Sequence, residues 1–293
     1  MGIIRIGIHT SRAGSLEKAA IRAYELGANT FQIFSASPRQ WLAHSLDPDD
    51  VRRFQDARQR FGLHPLVIHV NYLINLASPD PVIRDKSIRA FRGELERAAQ
   101  IGAEYLVTHP GNHNLWSSEE GIAAFVLGVN EAAAELDMRG ITVLIENTVG
   151  AGAQLGGKFQ QLRAMRDLLV QLSDVPVGYC LDTCHLFASG FDISTRLGLA
   201  QTLREADSIL GLEHVRVIHA NDSKGALASR LDRHANIGQG QIGEEGFGRL
   251  LRHPRLREKP FILETPVDEE GDDRRDLETL KRLAAVPMKL KGK

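Results

Sequence analysis

The segment Val175-Pro-Val-Gly-Tyr-Cys-Leu-Asp182-Thr-Cys-His185 carries the strongest structural signal in the sequence. Its first part, Val175 to Leu181, is apolar, which predicts a buried strand. The strand then ends in Asp182, and His185 follows three residues later. A buried carboxylate without a partner is very costly, so Asp182 should be paired or bound to a metal ion. For this segment alone, the alternative is an aspartate that caps the next helix with a packed histidine behind it.

Short apolar runs alternate with longer amphipathic segments along the whole chain. The predicted strands cover 3–8, 30–34, 66–69, 105–109, 141–146, 177–182, 215–219 and 261–264. The predicted helices cover 15–26, 48–61, 81–101, 118–138, 159–172, 194–210, 244–251 and 273–284. Eight strand–helix units in a row predict parallel strands with crossover helices. The number eight favours a closed (β/α)8 TIM barrel, of class α/β, over an open doubly wound sheet.

Length and composition are compatible with one large unit. The chain has 293 residues, of which 43% are hydrophobic, so it can bury a large core. Barrels of this class reach about 250 residues as a single domain. We find no composition shift and no Pro/Ser-rich linker, so we predict a single catalytic domain over 1–285 and a basic tail over 286–293.

Charge and cysteine content restrict the classes of partner and compartment. The formal net charge of −1 provides no global attraction to nucleic acid, so a DNA-binding surface would have to be local. Two cysteines four residues apart, Cys180 and Cys184, do not suggest a disulfide framework. No segment approaches the ~20 apolar residues that cross a bilayer, and the start lacks a signal-peptide pattern. We expect a cytoplasmic protein, associated with the nucleoid through DNA.

Ionisable side chains stand at the ends of six consecutive predicted strands and in one loop. They are His69, His109, Glu146, Asp182 with His185, His219 and Glu264 at the strand ends, and Asp232 and His234 in the loop. In a barrel these ends meet at one rim, where the active sites of this fold lie. Imidazole and carboxylate groups suit zinc and manganese. Because one catalytic zinc uses about three protein ligands, nine groups imply two or three ions.

Each of these residues also has a purely structural alternative. A single histidine at a strand end is more often a satisfied, half-buried side chain than a ligand. Asp232-Arg-His234 could be an ordinary polar loop, and Glu264 could be a capping group. Six consecutive strands that end in this way by accident are improbable. We expect Cys180 to point away from the neighbours of Asp182, and Cys184 to be a small packed side chain.

The segment Gly238-Gln-Gly-Gln-Ile-Gly243 matches the pattern G-x-G-x-x-G and precedes a predicted helix. A dinucleotide-binding fingerprint should follow a buried strand, whereas the polar segment 230–236 precedes these glycines. We interpret the glycines as loop geometry that lets the backbone pass close to the site or its ligand.

Seven segments together resemble the endonuclease IV type of apurinic/apyrimidinic endonuclease. They are His69-Val-Asn-Tyr72-Leu-Ile-Asn-Leu, His109-Pro-Gly, Glu146-Asn-Thr, Leu181-Asp182-Thr-Cys-His185, His219-Ala-Asn-Asp-Ser-Lys, Asp232-Arg-His234 and Leu263-Glu264-Thr. The resemblance implies a trinuclear zinc barrel that hydrolyses the phosphodiester 5′ to an abasic site in duplex DNA. The products would be a 3′-hydroxyl and a 5′-deoxyribose phosphate, and the resemblance also allows a 3′-repair diesterase activity.

The resemblance distributes the nine groups over three zinc ions, with manganese as an alternative at one position. It places the first ion on His69, His109 and Glu146. Glu146 would bridge to a second ion on Asp182, His219 and Glu264, and the third ion would lie on His185, Asp232 and His234. Glu146, Asp182 and Glu264 are the expected catalytic carboxylates. Partners that orient the imidazoles are expected among Asn147, Asn221 and Asp222.

The resemblance also points to residues that hold DNA. Arg39 and Tyr72 would enter the duplex at the lesion, although by themselves they suggest a surface charge and a rim aromatic. Loop residues that could contact phosphates are Lys158, Lys224, Arg230 and Arg233. The expected partner is double-stranded DNA with abasic sites, bound by a monomer.

The sequence departs from the family pattern at Val70, Ala235 and Gln239, which leaves substrate preference and rate open. One rival function is a sugar isomerase or epimerase of the xylose isomerase-like barrels. Such an enzyme could use Glu146, Asp182, His219 and Glu264 for one or two ions, but it would have no use for the other five groups. The second rival is a non-catalytic, metal-stabilised DNA-binding barrel.

Overall fold

Eight parallel strands close into a barrel in the computed structural model, which describes residues 4–285. With a further pair outside the barrel, the described residues form ten strands: β1 (Ile6–His9), β2 (Thr30–Phe34), β3 (Leu66–His69), β4 (Tyr105–Thr108), β5 (Thr142–Glu146), β6 (Val177–Asp182), β7 (Val215–His219), β8 (Asp222–Ser223), β9 (His234–Ala235) and β10 (Phe261–Leu263). The barrel runs in the order β1-β10-β7-β6-β5-β4-β3-β2, while β8 and β9 form a separate antiparallel pair. The predicted TIM barrel is confirmed.

Nine α-helices form within residues 4–285. They are α1 (Leu16–Glu25), α2 (Pro48–Phe61), α3 (Pro81–Ile101), α4 (Ser118–Ala133), α5 (Phe159–Leu172), α6 (Thr183–Ser189), α7 (Arg196–Leu210), α8 (Gly243–Arg252) and α9 (Asp272–Ala285). Helix α3 shows why the boundaries could be predicted. The side chain of Asp80 caps its first turn, Pro81 follows, and Gly102 ends it with a φ of 71°. Among these helices, none combines the length and apolar character needed to cross a membrane.

The structure differs from the predicted elements at a few positions. Helix α4 ends at Ala133 rather than at 138, because Ala134 leaves the helical conformation and Glu135 adopts a φ of 65°. Strand β1 extends to His9, which brings that side chain to the rim. The short helix α6 and the β8/β9 pair were not predicted. The predicted tail, 286–293, lies outside the described residues.

A layer of apolar side chains fills the barrel interior directly below the rim. It consists of Val67, Val107, Leu144, Cys180, Val217 and Ile262. Each member stands two residues before a predicted ligand, and His109 and Glu264 come directly after the last residue of their strands. Because side chains two apart share one face of a strand, the six ligands at the strand ends form the next layer up. The predicted strand-end ligands therefore lie at the carboxyl ends of the strands, and a packed apolar floor lies beneath them.

Candidate metal centre

Glu146 lies at the middle of the ionisable groups and is fully buried. Its Oε2 atom lies 3.1 Å from His69 Nε2 and 3.0 Å from His109 Nε2. Its Oε1 atom lies 2.9 Å from His219 Nδ1. The two oxygens of one carboxylate thus face two different sets of imidazoles, which is the arrangement that a bridging ligand needs.

A second group surrounds His219. Glu264 Oε2 lies 3.2 Å from His219 Nδ1. The ligand atoms of Glu146, Asp182, His219 and Glu264 all lie within 4.8 Å of one another. These four residues come from the ends of β5, β6, β7 and β10, so the barrel itself brings them together.

A third group lies at the edge of the centre and depends on a loop. Asp232 Oδ1 lies 3.2 Å from His185 Nε2 and 3.4 Å from His234 Nε2. The side chain of Asp232 is 46% exposed, in contrast to the buried Glu146. The Nε2 atom of His234 is buried and has no hydrogen-bond partner among the described residues. A buried nitrogen with an unused lone pair is what a metal ligand requires, so the residues fit a bound ion.

Backbone carbonyl groups orient three of the imidazoles. The contacts are His69 Nδ1 to Val70 O at 2.8 Å, His185 Nδ1 to Asn147 O at 2.9 Å, and His234 Nδ1 to Glu264 O at 3.1 Å. A carbonyl oxygen only accepts, so each Nδ1 atom carries the hydrogen. In the neutral ring the Nε2 lone pair then points into the centre. Histidines that bind metals are commonly oriented in this way, by a hydrogen bond from the other ring nitrogen.

Charge pairing within the centre shifts several pKa values in the metal-free chain. Burial lowers the pKa of His185, but the charge of Asp182 and the hydrogen bond to Asp232 outweigh it and raise the pKa to about 10. Burial lowers the pKa of His219, but Cys180, Glu264 and Glu146 outweigh it and raise the pKa well above its ordinary value. Burial favours protonation of Glu146, but the charges of His219 and His109 lower its pKa well below the ordinary value. An incoming cation must therefore displace protons from the imidazoles.

Asp222 holds the loop that carries Asp232 and His234. Its carboxylate, which is fully buried, accepts hydrogen bonds from five backbone N–H groups. The donors are Ser223, Gly238, Gly240, Ile242 and Gly243, at 2.8–3.2 Å. A Cβ atom at Gly240 would lie 2.5 Å from Asp222 Oδ1, so only glycine fits there. The glycines thus serve the geometry of this loop, and Asp222 is not among the residues that contact an imidazole.

The two asparagines have different partners. Asn147 orients His185 through its backbone carbonyl, as predicted, and its side chain binds both backbone groups of Asp182. Asn221 contacts carboxylates rather than imidazoles. Its Nδ2 atom donates to Asp182 Oδ2 at 2.5 Å, and its Oδ1 atom accepts from the backbone N–H of Glu264 at 2.8 Å.

The prediction for Cys180 is wrong. Its side chain lies in the barrel interior on the same face as Asp182, because residues two apart share a face of a strand. Its Sγ atom is within 4.8 Å of ligand atoms of Glu146 and His219, and burial raises the pKa of the thiol to about 12. Cys184 is buried as predicted, and its Sγ atom lies 3.7 Å from the carbonyl oxygen of Arg233.

Two residues at the centre were not predicted. Gln32 is fully buried in β2 and contacts His9, His219 and Glu264. His9 ends β1, with Nδ1 3.9 Å from Glu264 Oε1. Gln32 could have been found as a polar residue within the apolar run 30–34. His9 could have been found as a strand-end residue, but the first strand was predicted to end one residue earlier, at residue 8.

Arg39 and Tyr72 lie in adjoining loops above the centre. The backbone N–H of Tyr72 donates to Pro38 O at 3.0 Å, which joins the loop after β2 to the loop after β3. The Tyr72 side chain is 64% exposed, and Arg39 is also exposed. Tyr72, His69, His109 and Asp232 line a cavity of about 560 Å³ at the barrel mouth.

The four basic residues predicted to contact phosphates are exposed, and they lie in loops that follow β5 and β7. Lys158 immediately precedes α5. Lys224 and Arg233 are adjacent, since the backbone N–H of Lys224 donates to Arg233 O at 2.9 Å. Arg230 differs from the others, because its Nη1 atom donates to Val149 O at 2.8 Å and so ties the two loops together.

Comparisons with known proteins agree with this geometry. Residues 20–283 match the family model described as xylose isomerase-like TIM barrel. A probable endonuclease 4 of Solibacter usitatus is 61% identical over 287 residues, which cover 98% of this chain and 99% of that protein. The crystal structure of endonuclease IV from Thermus thermophilus superposes with a TM-score of 0.84 at 37% identity, over 95% of this chain and 98% of that one. A D-tagatose 3-epimerase-like protein, at 21% identity and a TM-score of 0.70 over 96% of this chain and 97% of that one, shares the fold. The chain belongs to the endonuclease IV family of xylose isomerase-like TIM barrels.

Proposed function

We propose that this protein hydrolyses the phosphodiester 5′ to abasic sites in duplex DNA, leaving a 3′-hydroxyl and a 5′-deoxyribose phosphate. The observation that carries the proposal is the convergence of nine nitrogen- and oxygen-bearing side chains at one rim, in three neighbouring groups, two of which share Glu146. Membership of the endonuclease IV family supports DNA as the substrate.

The three groups would each hold one divalent ion. His69, His109 and Glu146 form the first site, and Glu146 joins it to the second on Asp182, His219 and Glu264. His185, Asp232 and His234 form the third. The donor set of five imidazoles and four carboxylates favours zinc, with manganese as an alternative at one position. When bound, such ions supply Lewis acidity for a phosphodiester and lower the pKa of an attacking water.

Residues of the chain itself perform the binding and orienting steps. The two oxygens of Glu146 separate the imidazole sets, and the backbone carbonyls keep the Nε2 atoms of His69, His185 and His234 directed at the centre. Glu146, Asp182 and Glu264 supply the negative charge that retains the cations. The apolar floor below these groups keeps water out of the barrel interior and so strengthens their electrostatic interactions.

DNA would lie across the loops of this rim. Tyr72 lines the cavity and Arg39 lies in the adjoining loop. Both would occupy the space that a missing base leaves, since turning out an abasic nucleotide costs less than flipping a paired base. Lys158, Lys224 and Arg233 would contact phosphates, and Arg230 would hold the loops that present them.

The fold alone also permits a sugar epimerase, because a D-tagatose 3-epimerase-like protein shares it. Such an enzyme needs one or two ions, and it provides no role for His69, His109, His185, Asp232 or His234. About three zinc ions per chain would support the nuclease, whereas one manganese or magnesium ion would support the epimerase.

A nicking assay tests the proposed reaction. The substrates are two duplex oligonucleotides of the same sequence, one with a single abasic site and one intact, incubated with zinc-loaded protein. We expect one cut, 5′ to the abasic site, and none in the intact duplex. Glu146→Gln should leave both intact, while Glu131→Gln, an exposed site on α4, should cut like the wild type. Binding without nicking at saturating zinc would instead support a non-catalytic DNA-binding barrel.

A further inference from the structure

Gln32 occupies an unusual place for a side chain amide. It lies within β2, on the interior face of the barrel, and it is fully buried. Every polar atom of its side chain has a partner in the candidate metal centre. Its Nε2 atom donates to Glu264 Oε1 at 2.5 Å and to His9 Nδ1 at 3.0 Å. Its Oε1 atom lies 2.9 Å from His219 Nε2.

These partners allow one orientation of the amide. If the amide were turned over, Gln32 Oε1 would face the carboxylate oxygen of Glu264 at 2.5 Å, and two acceptors would oppose each other. In the observed orientation both hydrogens of Nε2 and a lone pair of Oε1 are used. Because a carbonyl oxygen only accepts, His219 must donate from Nε2.

The orientation of Gln32 has a direct consequence for His219. A hydrogen fixed on Nε2 leaves Nδ1 as the free lone pair of the neutral ring. That Nδ1 atom is the one that faces Glu146 Oε1 at 2.9 Å and Glu264 Oε2 at 3.2 Å. His219 thus presents Nδ1 to the centre, whereas His69, His185 and His234 present Nε2.

Gln32 also determines which oxygen of Glu264 is available. The Oε1 atom is occupied by the amide, so Oε2 is directed toward His219 and toward Asn221 Nδ2 at 3.5 Å. We propose that Gln32 is a positioning residue for the second ion: the Gln32 side chain fixes the tautomer of His219 and the orientation of Glu264. This inference rests on the proposed metal centre and assigns a role to a residue outside its nine ligands.

Two substitutions separate this role from simple packing. Gln32→Met keeps the length of the side chain and removes all three polar contacts. Gln32→Glu keeps an acceptor for His219 but opposes Glu264 with a second carboxylate. Thr30→Val is the matched control, because Thr30 is buried in the same strand and its hydroxyl donates to Pro65 O at 2.6 Å, away from the centre.

The first measurement is zinc retention during dialysis against graded chelator. Wild type and Thr30→Val should keep three zinc ions per chain with equal affinities. Gln32→Met should bind one of the three roughly 10- to 100-fold more weakly and keep the other two, the usual effect of losing a second-sphere contact. Gln32→Glu should also weaken only that ion. Wild-type affinity for all three ions in Gln32→Met would overturn the inference, even if its melting temperature fell.

The second measurement needs no variant. Long-range ¹H–¹⁵N NMR spectra of the zinc-loaded wild type distinguish protonated from metal-bound ring nitrogens. We expect His219 with its proton on Nε2 and zinc on Nδ1, and the opposite pattern in His69, His185 and His234. Zinc on His219 Nε2 would overturn the role of Gln32 and leave the proposed function standing. A wild-type protein that retains no zinc would overturn the metal centre, and the inference with it.

Discussion

The two halves of the candidate metal centre are built in different ways. Glu146, Asp182, His219 and Glu264 stand at strand ends, where neighbouring parallel strands fix their spacing. Asp232 and His234 stand on the long connection between β7 and α8, and Asp232 is 46% exposed. The barrel preorganises the inner half, whereas the outer half depends on contacts that hold its loop, chiefly the β8/β9 pair and the buried carboxylate of Asp222.

This difference determines how many ions a substitution in each half should affect. Glu146, His219 and Glu264 have charged partners at 2.9–3.2 Å and lie above the apolar floor, so a change at any of them disturbs several groups at once. An outer ligand has fewer neighbours, so a change there should affect one ion.

The largest effect is expected for Glu146→Gln. A neutral amide at this position removes the shared carboxylate from two groups, and a loss of about 4 kcal/mol in transition-state stabilisation lowers the rate roughly 10³-fold. Single-turnover nicking of an abasic-site duplex measures the rate, and metal analysis should show weakened binding of two ions. A variant that nicks within a few-fold of the wild type would contradict the shared role of Glu146.

A smaller and more selective effect is expected for Asp222→Asn. The amide cannot accept from all five N–H groups, so the loop with Asp232 and His234 should loosen. We expect the third ion to bind roughly 10- to 100-fold more weakly, with the other two unchanged. Asp192→Asn is the control, because Asp192 caps backbone N–H groups of Ser194 and Thr195 before α7 and carries no ligand loop. Equal loss of all three ions in Asp222→Asn would contradict the separation of the two halves.

A dependence on pH is expected for zinc binding to the third group. The pKa of His185 is raised to about 10 in the metal-free chain, so this ring holds a proton at neutral pH that the ion must displace. Affinity should therefore increase with pH, roughly tenfold per unit between about pH 7 and 9 for one released proton. Calorimetric titrations in buffers of different ionisation enthalpy count the protons. Zinc binding without proton release would contradict the charge pairing described for the centre.

The smallest effect is expected in the salt dependence of DNA binding. If Lys224 neutralises one phosphate, Lys224→Ala should reduce the slope of log affinity against log salt by about one unit. Arg139→Ala is the control, since Arg139 is exposed in the segment between α4 and β5, at the opposite end of the barrel. A slope that is equally shallow for wild type and Lys224→Ala would argue against local phosphate contacts.

Much of the inner half could be predicted from the sequence, because a strand end is visible as the point where an apolar run stops. The six strand-end ligands each follow an apolar residue two positions earlier, and the period of a strand places both on one face. The same rule corrects the prediction for Cys180, which shares the face of Asp182. The eight-fold alternation of strand and helix was sufficient for the barrel.

Contacts between distant residues could not be predicted in this way. Gln32 is visible as a polar residue in an apolar strand, but its partners His219 and Glu264 lie 187 and 232 positions away. The residues around Asp222 in the sequence do not show whether it holds a loop or binds a metal ion. Four of the five N–H groups that donate to its carboxylate lie in residues 238–243, and their position depends on how that loop folds back. The short helix α6 was missed, since its residues 183–189 are mostly apolar and follow directly on β6.

Metal content tests the central claim most directly. Elemental analysis of purified protein, after dialysis against metal-free buffer, gives the number and identity of the bound ions per chain. We predict about three zinc ions: two in the groups that share Glu146, and one in the group of His185, Asp232 and His234. A single manganese or magnesium ion per chain, with no zinc, would contradict it.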